Sequence, residues 1–136
     1  MLTGLNHLTF AVRDVARAWQ FYVEVLGCRP VARWPQGAYV LAGDLWVALV
    51  QDDQTRAGPW PEYTHAAFSV SAADFPRLAD RLRAAGAVIW QANWTEGESL
   101  YFLDPDGHKL ESHASDLAAR LRSARAQPWA GLEFFD

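Results

Sequence analysis

The chain has a single cysteine, Cys28, in 136 residues. An intrachain disulfide is excluded, and a reducing, cytosolic setting is expected. No apolar run approaches the roughly 20 residues that span a bilayer, so no membrane segment is expected. The amino-terminal residues lack a basic stretch followed by an apolar one, so no secretory signal is expected either. Single-sign charge runs are missing as well. The formal charge is −4, from 12 basic and 16 acidic residues. That balance gives no basic face for nucleic acid. A small anionic ligand would have to be held locally, by a metal or a few placed cations.

What is present is core-forming material. Hydrophobic residues make up 51 % of the chain, enough for a packed interior. There are seven tryptophans; they fit either core packing or an aromatic-lined cleft.

The phrase His-x-x-Phe-x-Val occurs twice, as His7 to Val12 and as His65 to Val70, 58 residues apart (65 − 7). A pattern of strand, helix and three strands follows each copy. Leu5 to Val12 alternates as a strand, with His7, Thr9 and Ala11 on one face. Val15 to Leu26 has helical spacing through Trp19, Tyr22, Val23 and Leu26, with Asp14 placed to cap it and Gly27 to end it. Cys28 to Trp34, Gly37 to Leu41 and Leu45 to Val50 read as strands. A polar connection covers 51–62. The second round is Thr64 to Val70, a helix over Ala73 to Ala85 ended by Gly86, then Val88 to Gln91, Leu100 to Leu103 and His108 to His113. The expected fold is α+β: two βαβββ units, over 5–50 and 63–113, with mixed, partly open sheets in one domain spanning 1–136. Residues 114–136 add a helix from Asp116 to Ala126 and a tail from Pro128. Each unit has a one-sided sheet that needs a partner.

A histidine heading each repeat points to a metal. Glu111 is a third donor, in the middle of the last strand, where an unpaired buried carboxylate would be costly. Alternation puts Lys109, Glu111 and His113 on one face. Two imidazoles and one carboxylate with open positions suit Mn²⁺, Fe²⁺, Ni²⁺ or Zn²⁺. Glu111 would otherwise be a solvated edge-strand residue. Its counterpart in the first repeat is expected near Leu49 or Val50, neither of which can ligate.

Several segments together carry a family likeness: Met1 to Thr9, Ala32-Arg-Trp34, Gln36 to Tyr39, Leu45-Trp46, Tyr63-Thr-His65, Glu96-Gly97, and Tyr101 through Asp-Pro-Asp-Gly-His108 to Glu111. From end to end the chain resembles the fosfomycin-resistance glutathione transferases of the vicinal oxygen chelate superfamily. The resemblance implies a cytoplasmic homodimer whose βαβββ units are exchanged between subunits. It implies Mn²⁺ on His7 of one subunit and on His65 and Glu111 of the other. It implies a K⁺ loop at Asn93, Gly97 and Ser99. Thr9 and Tyr101 would act on the epoxide and phosphonate, with Thr95, Arg120 and Gln91 around the anion. Trp34, Gln36, Tyr39 and Trp46 would line the approach of glutathione. Gln91 and Trp94 stand where the family typically has Lys and Arg, and Ala66 where it often has Tyr. Other readings are ring opening by a different thiol, hydrolysis with Asp44 as a conceivable base, and metal-free drug binding.

Overall fold

The computed structural model describes residues 1–135; the end of the expected tail, Asp136, lies outside them. Two four-stranded sheets carry the chain. The first comprises β1 (His7–Val12), β2 (Arg29–Trp34), β3 (Gly37–Ala42) and β4 (Leu45–Gln51), in the order β1-β4-β3-β2. The second comprises β5 (Ala66–Ser69), β6 (Ile89–Gln91), β7 (Ser99–Leu103) and β8 (Lys109–His113), in the order β5-β8-β7-β6. In each, the first strand runs parallel to the last and the other pairs are antiparallel. The repeated βαβββ order is therefore a repeated topology, with mixed sheets that stay open.

The repeat extends to irregularities. Register shifts between Pro30 and Ala32 in β2 and between Ile89 and Gln91 in β6. A bulge there re-aims one side chain, and in β6 that residue is Trp90. The first helix departs from simple expectation. α1 (Val15–Trp19) is capped by Asp14, whose side chain accepts from the Arg17 backbone N–H, but Gln20–Val25 is wound as a π-helix. Its wider turn accompanies burial of two consecutive aromatics, Phe21 and Tyr22. Spacing rules built on 3.6 residues per turn do not anticipate such a segment. Gly27 and Gly86 end their helices at positive φ, +76° and +70°, as C-cap glycines do. α2 is Phe75–Ala84, and α3 is Leu117–Ala126, capped by Asp116.

The interior joins Val12, Tyr22, Val40, Val47 and Leu49 of the first half to Leu82, Phe102 and Leu110 of the second. A polar clasp reinforces that joint. The turn Asp104-Pro-Asp-Gly-His108 docks against β1 and α1. Tyr22 donates to Asp104 at 2.8 Å. The Arg13 backbone N–H and the Arg17 guanidinium both donate to Asp106. His108 Nε2 donates to the Ala11 carbonyl at 2.8 Å. Burial pushes the Asp104 carboxyl above its ordinary range, while His108 and the Tyr22 hydrogen bond pull it back. Burial pushes the Tyr22 phenol up as well.

Register corrects one expectation. Thr9 faces Ala48, and Ala67, which is 58 residues beyond Thr9, faces Glu111. The first-half counterpart of Glu111 is therefore Ala48, not Leu49 or Val50. Counting along the sequence misplaces it, because the second unit has different loop lengths.

Candidate metal and substrate site

Glu111 sits mid-strand in β8 with 7 % of its surface exposed. Such a carboxylate needs partners. Ser99 Oγ donates to its Oε1 at 2.6 Å, and its Oε2 lies 3.0 Å from His65 Nε2. His65 immediately precedes β5. Its Nδ1 is 2.7 Å from the Tyr63 carbonyl, which can only accept, so Nδ1 carries a proton. In the neutral ring the Nε2 lone pair then faces a carboxylate oxygen. His65 and Glu111 could together hold a divalent cation, which would relieve the opposition, and a carbonyl on the far ring nitrogen is the usual support for a ligating histidine.

His7 heads β1 in the other sheet and is exposed. Its Nδ1 is 2.7 Å from Asn6 Oδ1, and its ring stacks on Trp46 at 4.4 Å. With Oδ1 accepting, His7 too keeps Nε2 as its free donor atom. The chain thus brings His65 and Glu111 together and leaves His7 apart. No group of three His, Cys, Asp or Glu placed to hold a metal occurs among the described residues.

Aromatic rings surround both histidines. In the second half, His65 meets the edges of Tyr63, Trp90 and Tyr101 at 4.9, 5.3 and 5.9 Å. Tyr101 is buried and pairs in register with Glu111. Trp90 donates its indole N–H to the Phe102 and Leu110 carbonyls, and Lys109 stands over its ring. Gln91 donates to the Tyr63 hydroxyl at 3.1 Å. In the first half a row runs Trp34, Tyr39, Trp46, His7, with successive centroids 4.9, 5.1 and 4.4 Å apart. Gln36 is exposed in the turn that precedes β3.

Thr9 is exposed on β1 and shares a cleft with His65, Arg56, Trp60 and Lys109. The loop before β7 is closed on itself. Asn93 donates to the Gly97 carbonyl at 2.8 Å and accepts from the Thr95 backbone and hydroxyl. Gly97 has φ +78°, and a Cβ there would sit 2.7 Å from Ser115 Cβ. Arg120, on α3, is no free cation: its Nε lies 3.6 Å from Glu96 Oε2, while Ser115 donates to Glu96 Oε1. Trp94 is 74 % exposed.

Tyr63, Trp90 and His113 had no assigned role from sequence. His113 did share the Glu111 face by strand alternation, and Tyr63 stands two residues before His65.

Residues 4–112 match the model of the glyoxalase/bleomycin resistance protein/dioxygenase superfamily. The chain is 52 % identical to the glutathione transferase FosA of Serratia marcescens, covering 98 % of this chain and 96 % of that one. It is 40 % identical to the metallothiol transferase FosB of Shouchella clausii, over 89 % of this chain and 86 % of that one. Among solved structures, the fosfomycin resistance protein FosX of Mesorhizobium loti superposes with a TM-score of 0.75 at 36 % identity, covering 89 % of this chain and 99 % of that one. A mutant FosX of Listeria monocytogenes, complexed with Mn(II) and 1S,2S-dihydroxypropylphosphonic acid, gives 0.75 at 25 % identity, with 90 % and 99 % covered. The chain belongs to the glyoxalase/bleomycin resistance protein/dioxygenase superfamily and, within it, to the family of the FosA glutathione transferase.

Proposed function

We propose that the protein is a metal-dependent glutathione transferase that opens the epoxide of fosfomycin and so confers resistance to it. The observation that carries the reading is the His65–Glu111 pair, with Nε2 and Oε2 3.0 Å apart in an aromatic surround, in a chain 52 % identical to a glutathione transferase FosA. His7, His65 and Glu111 are the metal donors, and Mn²⁺ is the ion we assign. That ion would act as a Lewis acid on the epoxide oxygen. The donors reach one ion by exchange of βαβββ units in a homodimer, His7 from one subunit and His65 with Glu111 from its partner. Support comes from the separation of His7 from the other two within the chain. The chain is one domain over 1–136, with units 5–50 and 63–113 and an appended segment 114–136, held by the Asp104–His108 clasp.

The residues divide the remaining work. Tyr101, Thr95, Arg120 and Gln91 hold the phosphonate; Gln91 contributes a neutral donor, and Arg120 is oriented by Glu96. Thr9 donates to the oxygen that gains charge as the ring opens. The row Trp34, Gln36, Tyr39 and Trp46 guides glutathione, whose thiolate attacks a ring carbon from the side opposite the C–O bond. The C–S bond forms, the C–O bond breaks, and the alkoxide takes up a proton. K⁺ fits the loop of Asn93, Gly97 and Ser99, because the Gly97 carbonyl and the Ser99 hydroxyl each keep a lone pair beyond their hydrogen bonds. No helix among the described residues is long and apolar enough to cross a membrane. With buried, unpaired Cys28, that fits the cytoplasmic location we assign.

The second reading is hydrolysis. The diol in the FosX complex is what water would make of the same epoxide. Asp44, the base considered for water, lies at the β3–β4 turn and lines a different cleft from Thr9 and His65. Mass spectrometry of fosfomycin incubated with protein and Mn²⁺, with and without glutathione, separates the readings. The transferase gives a glutathione adduct and nothing without the thiol. Diol formed without thiol would replace it with the hydrolase, and no product in either tube would contradict both.

A further inference from the structure

Strand alternation puts His113 on the same face as Glu111, two residues on, and register places Ser99 of β7 directly opposite His113. The side chains make a short chain. His113 Nδ1 is 2.5 Å from Ser99 Oγ, and Ser99 Oγ is 2.6 Å from Glu111 Oε1. Proton counting fixes its direction. Ser99 has one hydroxyl hydrogen, and a carboxylate can only accept, so that hydrogen goes to Glu111. Ser99 must then accept from His113, whose Nδ1 carries a proton. The chain runs His113 to Ser99 to Glu111. It ends on Oε1, which leaves Oε2 to face His65 Nε2. His113 itself has 18 % of its side chain exposed. The Gly97 backbone lies against its ring, at 3.4 Å from Cε1 to the position a Cβ would take.

We propose that His113 is a positioning residue for the metal site: through Ser99 it fixes the rotation of the Glu111 carboxylate so that Oε2 is presented beside His65. This rests on the reading of His65 and Glu111 as metal donors. A ligating carboxylate that swings freely loses rotamer entropy each time it binds, whereas one already hydrogen-bonded on its second oxygen does not. His113 needs no contact with metal or substrate to act this way. What matters is one N–H donor at the Nδ1 position.

That requirement sets the test. His113→Phe keeps a ring and removes the donor. His113→Asn removes the ring and keeps an N–H close to where Nδ1 stands. Mn²⁺ binding, read from the EPR signal of free Mn²⁺ during titration, is measured for both, for Ser99→Ala, and for the His113→Phe/Ser99→Ala double variant. Affinity is expected to fall about 10-fold or more in His113→Phe and in Ser99→Ala, the range for lost outer-shell support. His113→Asn is expected to recover most of that loss. The double variant is expected to be no weaker than the worse single, because both break one chain. Wild-type affinity in His113→Phe, equal losses in the Phe and Asn variants, or additive losses in the double variant would each overturn the role of His113. Wild-type protein that took up no Mn²⁺ at all would overturn the metal reading beneath it.

Discussion

The two halves share a topology and a leading histidine, yet they have treated that histidine differently. In the second half His65 is partly buried, its Nδ1 bound to Tyr63 and its Nε2 beside Glu111. In the first half His7 is exposed, stacked on Trp46, and the position corresponding to Glu111 is Ala48. A duplicated pair of complete sites would need a carboxylate in both places. One half pairs two of the proposed donors, and the other offers the third at the end of an aromatic row. Symmetry supplied the scaffold. On the proposed roles, loss of symmetry separates a metal-holding face from a thiol-guiding face, which suits a reaction between two unlike substrates.

The largest test of that asymmetry is Glu111→Gln. The amide keeps the shape but loses the charge, and turnover is expected to fall more than about 100-fold, beyond the range for outer-shell changes. Steady-state rates at saturating Mn²⁺ check it, with circular dichroism showing an unchanged fold. Near-wild-type rates would remove Glu111 from the site.

A contrast in stability comes next. His65→Ala removes the hydrogen bond to the Tyr63 carbonyl and the ring packed against Tyr63, Trp90 and Tyr101, at a cost of about 1–3 kcal/mol. His7→Ala acts at an exposed strand end and is expected to stay within about 0.5 kcal/mol. Both are expected to abolish Mn²⁺-dependent turnover. Urea unfolding of the metal-free variants separates them; equal losses of stability would erase the distinction between the halves.

The joint between the halves gives a subtler effect. Tyr22→Phe removes the donor to Asp104 Oδ2, at about 1–3 kcal/mol. The sign of its pH dependence follows from burial. The folded Asp104 carboxyl already sits above its usual range, so stability falls as pH rises from the unfolded value through the raised folded one. Without the Tyr22 hydrogen bond the folded value rises further. The variant should therefore lose more stability at pH 7 than at about pH 4. Thermal unfolding at the two pH values measures it, and a pH-independent loss would show that Asp104 is not sensing Tyr22.

Much of this was legible in the chain. The repeated His-x-x-Phe-x-Val phrase, the paired glycines 27 and 86, and Glu111 mid-strand all follow from period-2 alternation and cap chemistry, which are local. Three features were not legible, for physical reasons. The π-helical turn at Gln20–Val25 responds to the packing of Phe21 and Tyr22, not to spacing. The equivalence of Ala48 and Glu111 depends on strand register, which differing loop lengths hide. The capture of Arg120 by Glu96 joins α3 to a loop more than twenty residues earlier, and no sequence pattern links them.

In the proposed dimer, His7 of one subunit completes the His65–Glu111 site of the other. Subunit complementation tests it most directly. His7→Ala and Glu111→Gln proteins, each inactive alone, are co-refolded and assayed together. If the donors come from different subunits, each mixed dimer contains one intact site, and random pairing restores about a quarter of wild-type activity. If all three donors came from one chain, every site in the mixture would carry a defect, and the mixture would stay as inactive as its components.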